Sequence, residues 1–157
     1  MDTITLVGPL ADRDSWVNDR CFMARALAVV GTRSGMLLLR EALYGTRRFD
    51  QFAQLVDISE PVAAARLAEL VEQGMLVRRP YQEPGQRTRH EYELTEKGRD
   101  FAEVLLALWQ WGARWVPPEA GTEFVHAGCG EPVTVQIRCA EGHQVDVGDV
   151  QFRLKDS

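Results

Sequence analysis

The chain has 157 residues, of which 45% are hydrophobic and 26% charged, so one compact domain with extensions is the expected organisation. No run of 18 apolar residues predicts a membrane span, and the first residues lack the basic start and apolar stretch of a secretory signal. Three cysteines are an odd number, which argues against a disulfide framework. We therefore expect a cytoplasmic protein without a membrane segment.

The formal net charge of −5 opposes binding to nucleic acid, but the charge is unevenly distributed. Residues 100–157 carry four basic and nine acidic side chains, whereas residues 1–39 and 40–99 are each balanced. Between residues 76 and 90, Glu83 is the single acidic side chain, against four arginines: Arg78, Arg79, Arg87 and Arg89. This local positive field suits salt-sensitive contacts with phosphates.

The first third of the chain predicts an arm followed by two helices. Residues 1–20 contain a short apolar stretch that suits a strand, and Trp16 is a candidate for docking this arm. Residues 21–30 and 33–45 have helical spacing. Cys21 stands at a helix start, where the thiolate form of a cysteine is favoured. A buried structural cysteine is the alternative interpretation.

The stretch from Phe49 to Leu94 contains the most informative pattern of the chain. Residues 49–57 and 59–74 predict two short helices, the second with Ser59 as its N-cap and Pro61 in its first turn. Residues 75–79 and 90–94 then predict two strands around a basic loop. Helix, turn, helix, strand, loop, strand is the order of a winged helix-turn-helix. Its second helix can enter the major groove, and its hairpin can reach phosphates.

The candidate DNA contacts fall into three groups. Two arginines before the first helix suit a phosphate, although both fit solvated positions as well. Arg66 suits a guanine, a phosphate or an ion pair with Glu69 or Glu72, and the exposed alanines suit thymine methyl groups. Arg78 and Arg79 alternate on a strand, so we expect one of them to face DNA. The full candidate set is Arg47, Arg48, Ser59, Glu60, Pro61, Ala64, Ala65, Arg66, Arg79, Arg87, Arg89 and His90.

Residues 95–115 predict a long helix that starts at Thr95 and is apolar on two sides. One side can cover its own domain, and the other requires a partner, so we expect a homodimer. The candidate interface residues are Leu105, Leu106, Leu108, Trp109 and Trp115. The tryptophans also suit a pocket for a small aromatic effector, although aromatic stripes more often belong to a core.

Residues 117–157 predict a small β-rich appendage, because four segments alternate in polarity between turns. His126, Cys129, Cys139 and His143 have a spacing close to that of zinc ligands. A zinc ribbon and a ribbon without metal both fit this pattern.

Three blocks of the chain resemble the HxlR-type branch of the MarR-like winged-helix regulators: Gly31–Phe52, Ser59–Glu83 and His90–Trp115. The resemblance implies a dimeric bacterial DNA-binding regulator, more commonly a repressor. Cys21 approximately matches a redox-sensing cysteine of some members. Ser34 stands where the family usually has tryptophan, and Gly142 stands where related tails carry a fourth cysteine.

These observations predict an α+β, mainly helical fold: a winged helix-turn-helix with a long dimerisation helix and a small β appendage. The expected boundaries are an arm at 1–20, the winged domain at 21–116 and the appendage at 117–157. The expected function is that of a dimeric regulator binding operator DNA. The alternative is a winged-helix module for ligand or protein binding. No coherent nucleophile–base set points to an enzyme.

Overall fold

The computed structural model describes residues 3–15, 21–116 and 121–155; Trp16 lies outside them. The chain divides into two compact units. One is Phe22–Val116, and the other joins Met1–Cys21 to Pro117–Ser157. The arm and the appendage, which the sequence treats separately, therefore share a unit. The fold class is the predicted one, a helical winged helix-turn-helix with small sheets.

The first unit contains six helices and one hairpin among its described residues. The helices are α1 Phe22–Val30, α2 Arg33–Leu43, α3 Phe49–Val56, α4 Glu60–Glu72, α5 Glu96–Asp100 and α6 Ala102–Trp115. The strands are β2 Leu76–Tyr81 and β3 Arg89–Leu94, and β1 precedes them in the other unit at Thr5–Leu6. None of the described helices alone has the length and apolarity to cross a membrane. Among the described helices, only α1 and α2 taken together, with a bend of 77° between them, have the length and composition of a membrane span.

The core of the first unit lies where α2, α3 and α4 meet the hairpin. Its fully buried large side chains come from all of these elements: Leu38, Leu39, Phe52, Leu67, Leu70 and Leu76. The Tyr92 ring on β3 packs edge-on against Phe52, with centroids 6.1 Å apart. This packing fixes the wing against the helix-turn-helix, because one aromatic pair joins β3 to α3.

The long helix predicted at 95–115 is interrupted at Phe101, which ends α5 and precedes α6. Thr95 is the N-cap, as its hydroxyl accepts a hydrogen bond from the Gly98 N–H at 3.1 Å and contacts the Gly74 carbonyl at 2.6 Å. A methyl group at Gly98 would overlap the Met75 carbonyl oxygen. Glycine therefore lets α5 approach the start of β2 closely.

In the second unit, β1 pairs in parallel with β4, Gln151–Phe152, with Thr5 opposite Gln151. The arm donates from its Thr5 and Val7 N–H groups to carbonyls of residues 150 and 152, at 2.9 and 3.1 Å. The four strands predicted for the appendage form only β4 and the isolated bridges Val125–Pro132 and Arg138–Gln144. Most side chains of residues 121–155 are exposed. The apolar side chains of the alternating pattern therefore have little core to pack against.

Candidate nucleic-acid interface

The turn between α3 and α4 positions the second helix. Asp57 adopts the left-handed conformation, with φ 55°, and its N–H bonds back to the end of α3. Ile58 follows half-buried against the core. Ser59 occupies the N-cap position of α4 as predicted, but its hydroxyl makes no capping hydrogen bond. Ser59 is exposed at the start of the helix.

Helix α4 buries one side and leaves the other open. Ala63, Leu67 and Leu70 face the core. The predicted contact residues on the opposite side are exposed: Ser59, Glu60, Pro61, Ala64 and Ala65. Arg66 is half-buried and forms an ion pair with Glu69 at 2.6 Å, which is one of the roles that its sequence position allowed. This pair occupies the only basic side chain on α4.

The wing is β2 and β3, paired antiparallel from Leu76 opposite Leu94 to Tyr81 opposite Arg89. A third strand-like segment lies along the other edge of β3. There the Tyr92 N–H donates to the Arg47 carbonyl at 2.9 Å, and Arg48 forms a bridge with Glu91. The segment before α3 is thereby held beside the wing, which brings Arg47 and Arg48 next to the hairpin.

Beside and along the wing, arginines and glutamates pair. Arg47 lies 3.0 Å from Glu93, and Arg79 lies 3.6 Å from the same carboxylate. Nearer the loop of the hairpin, Arg48 donates to Glu83 at 2.8 Å; this contact raises the pKa of Arg48, with a smaller contribution from Tyr81. The Arg48 guanidinium also lies over the Tyr81 ring, 5.1 Å from its centroid. Three of the predicted arginine contacts therefore each have a glutamate partner in the free protein.

Two arginines at the tip of the wing differ from the paired ones. Arg87 and Arg89 are exposed, and neither has an acidic partner within the described part of the chain. The Arg78 guanidinium contacts Nδ1 of His90 at 3.2 Å rather than a carboxylate. The sequence pointed to Arg79 rather than Arg78. The alternation of glutamates on β3 carried a signal for the ion pairs, but only the strand register identifies which arginine meets which carboxylate.

A second exposed surface runs along α6. Phe101 and Leu105 are partly buried against the core of their own chain. The assignment of Leu105 to a dimer interface stays a prediction. Leu106 and Trp109 are half-buried, whereas Leu108 and Trp115 are exposed as the interface prediction requires. The exposed apolar residues lie at spacings of four, three and four: Val104, Leu108, Trp111 and Trp115. We call these four residues the α6 stripe.

Helix α1 is apolar and nearly uncovered. The Phe22 side chain is 82% exposed and that of Met23 is 72% exposed, while Val30 is the one buried residue of the helix. Cys21 stands directly before it as a half-buried free thiol. A single helix with this much exposed apolar surface indicates a contact surface.

The appendage does not assemble the predicted zinc ligands. His126 Nδ1 lies 3.2 Å from the Cys129 sulfur, and the Cys139 N–H donates to the His143 carbonyl at 3.0 Å. Among residues 3–15, 21–116 and 121–155, no three His, Cys, Asp or Glu side chains group as metal ligands. His126, Cys129, Cys139 and His143 are thus two local turns rather than one site.

A shallow cavity of about 240 Å³ lies beside the wing, lined in part by Arg47, Tyr92, Glu93 and Arg99. The tryptophans of α6 do not line it. The cavity therefore lends no support to the predicted aromatic effector pocket.

The arrangement of α3, turn, α4 and wing defines a helix-turn-helix transcriptional regulator. The profile of the HxlR-like helix-turn-helix family matches residues 29–120, and the chain belongs to that family. An uncharacterized HTH-type transcriptional regulator of Mycobacterium tuberculosis is 39% identical over 131 residues, which is 82% of each chain. The chain is a regulator and not an enzyme.

Solved structures with the same fold extend the comparison. The crystal structure of PA1607, a candidate transcription factor, is 33% identical and covers 89% of this chain and 97% of its own, with a TM-score of 0.77. The reduced form of the redox regulator HypR is 26% identical over 60% of this chain and 93% of its own, with a TM-score of 0.55. The first similarity extends over most of this chain, whereas the second covers a smaller part of it.

Proposed function

We propose that this regulator is a cytoplasmic homodimer that binds duplex operator DNA and represses transcription by occupying a promoter. Helix α4 would enter the major groove, and the wing would contact the backbone. The observation that carries the proposal is the charge at the wing tip. Arg87 and Arg89 extend without acidic partners, among the described residues, from the same domain that leaves the outer side of α4 uncovered.

The arginines that pair with glutamates fit the same proposal. Exposed ion pairs contribute little to stability, so Arg47, Arg48 and Arg79 can exchange glutamates for phosphates at small cost. The unpaired Arg87 and Arg89 would bind phosphates without such an exchange. Binding should then be moderate in strength and steeply dependent on salt.

A homodimer is supported by α1 and the α6 stripe. Both are apolar, both are exposed, and both belong to the winged unit. Burying them against a second copy would remove this surface from water. Two copies of α4 would then address two half-sites about one DNA turn apart, roughly 34 Å.

The test is fluorescence anisotropy with the DNA upstream of the gene and a scrambled duplex of equal composition, across a salt series. Preferential binding of the upstream duplex that weakens steeply with salt is expected. Equal and salt-independent binding of both duplexes, or none, would favour the alternative of a winged-helix module for ligands or proteins.

Redox control through Cys21 is the second part of the proposal. HypR is a redox regulator, and Cys21 precedes the apolar helix proposed to meet the partner. Peroxide converts an accessible thiolate to sulfenic acid. We expect peroxide to change the duplex affinity of the wild type and not of Cys21→Ser. Cys129→Ser and Cys139→Ser are the matched controls, and an unchanged peroxide response in Cys21→Ser would contradict the assignment.

A further inference from the structure

The outer side of α4 has an unusual composition for a helix that reads DNA. Between residues 61 and 68, every exposed side chain is apolar: Pro61, Val62, Ala64, Ala65 and Ala68. Arg66 is the only polar side chain in this span, and it is half-buried and paired with Glu69 at 2.6 Å. This part of the helix therefore lacks an unengaged group for hydrogen bonds with base edges.

Val62 differs from its neighbours. It is a branched side chain, 42% exposed, at the third position of α4, next to the uncapped end of the helix. Residues near the N-terminus of a recognition helix come closest to the bases. The sequence alone did not single out Val62. The buried positions of α4 are Ala63, Leu67 and Leu70.

Charge complementarity favours DNA as the occupant of this surface. The wing of the same unit carries Arg87 and Arg89 without acidic partners among the described residues, and this is suited to a polyanion. In the major groove, the one apolar feature of a base pair is the C5-methyl group of thymine. An apolar side chain on α4 is complementary to that group and to no hydrogen-bonding edge.

We propose that Val62 reads thymine by packing against its C5-methyl group, so that this protein selects operators by apolar contact on α4 rather than by hydrogen bonds. This inference rests on the proposed function. It adds the base that is recognised and the side chain that recognises it.

The experiment begins with the duplex most enriched by the full-length protein from a random 30-base-pair pool. Each thymine of that duplex is then replaced in turn by deoxyuridine, which lacks only the methyl group. At one thymine or more, we expect binding about fourfold weaker, the amount typical of one methyl-sized group removed from water. In Val62→Ala, that effect should disappear. Alanine favours the helix more than valine does, so α4 should stay folded.

Val133→Ala is the matched control, since Val133 is an exposed valine of the other unit and its substitution should leave the weakening by deoxyuridine unchanged. Sequence preference without any deoxyuridine effect would overturn the inference and leave the proposed function standing. A deoxyuridine effect that persists in Val62→Ala would also overturn it, because another side chain would then read the methyl group. No enrichment of any duplex would overturn both.

Discussion

At the scale of residues, the wing separates arginines by their partners. Arg47, Arg48 and Arg79 each contact a glutamate, whereas Arg87 and Arg89 contact none among the described residues. These five arginines carry the same charge, but they differ in whether a carboxylate must be displaced before they bind a phosphate. The paired ones must exchange a carboxylate, and the unpaired ones need only lose water and counterions.

We expect Arg87→Ala with Arg89→Ala to weaken binding to all duplexes alike. The slope of log affinity against log salt should become shallower by about 0.9 for each phosphate that the variant no longer neutralises. Anisotropy across a salt series measures both effects. Arg153→Ala is the control, as Arg153 is an exposed arginine of the other unit. A double variant with the wild-type slope would exclude the wing tip from phosphate binding.

At the scale of elements, α6 packs one side against the core of its own chain and exposes apolar residues on another side. Phe101 and Leu105 face inward, and the α6 stripe faces outward. The sequence indicated two apolar sides and proposed Leu105 for the interface, whereas the structure shows it partly buried against its own core. Helical spacing identifies sides without saying which of them the rest of the chain covers.

We expect Trp111→Asp to convert the homodimer to a monomer, because the carboxylate would be placed in the middle of the α6 stripe. Analytical ultracentrifugation gives the mass directly. Ala113→Asp adds the same charge at an exposed position of α6 outside the stripe and should remain dimeric. If Trp111→Asp sediments as the wild type does, the α6 stripe is not the interface.

The helix-turn-helix and wing could be predicted from sequence because their signals are local. Thr95, Pro61 and Gly74 mark helix ends, and the apolar spacing between them is regular. The ion pairs of the wing could not be predicted, since they depend on the strand register, which places Arg79 opposite Glu91 and within 3.6 Å of Glu93. The pairing of β4 with β1 could not be predicted either, because the two strands lie far apart in the sequence.

At the scale of the whole molecule, the charge is unevenly distributed along the chain. The winged unit carries the candidate DNA surface, and residues 100–157 hold nine acidic side chains against four basic ones. The net charge of −5 therefore reflects mainly the end of the chain, and it does not describe the wing. The net acidity is therefore no argument against the proposed DNA binding by the winged unit.

We expect removal of residues 1–7 to loosen the appendage and leave the winged unit folded. The deletion takes away the N–H groups of Thr5 and Val7, which bond to residues 150 and 152. Hydrogen exchange should accelerate in the appendage while the amides of α2 to α4 keep their protection. Substituting Thr3 with alanine, outside β1, is the control. Uniform acceleration throughout the chain would instead show one cooperative unit.

The parallel pairing of β1 with β4 also imposes an order on folding during synthesis. Thr5 and Leu6 are translated before the winged unit, but their partners Gln151 and Phe152 are translated only after it. The winged unit consists of contacts between residues that are closer in sequence, so it can fold while the ribosome is still adding the appendage. Strand β1 is thus translated before the winged unit but pairs only after it. Until then, the nascent regulator exposes an unpaired β edge although its winged helix has already folded.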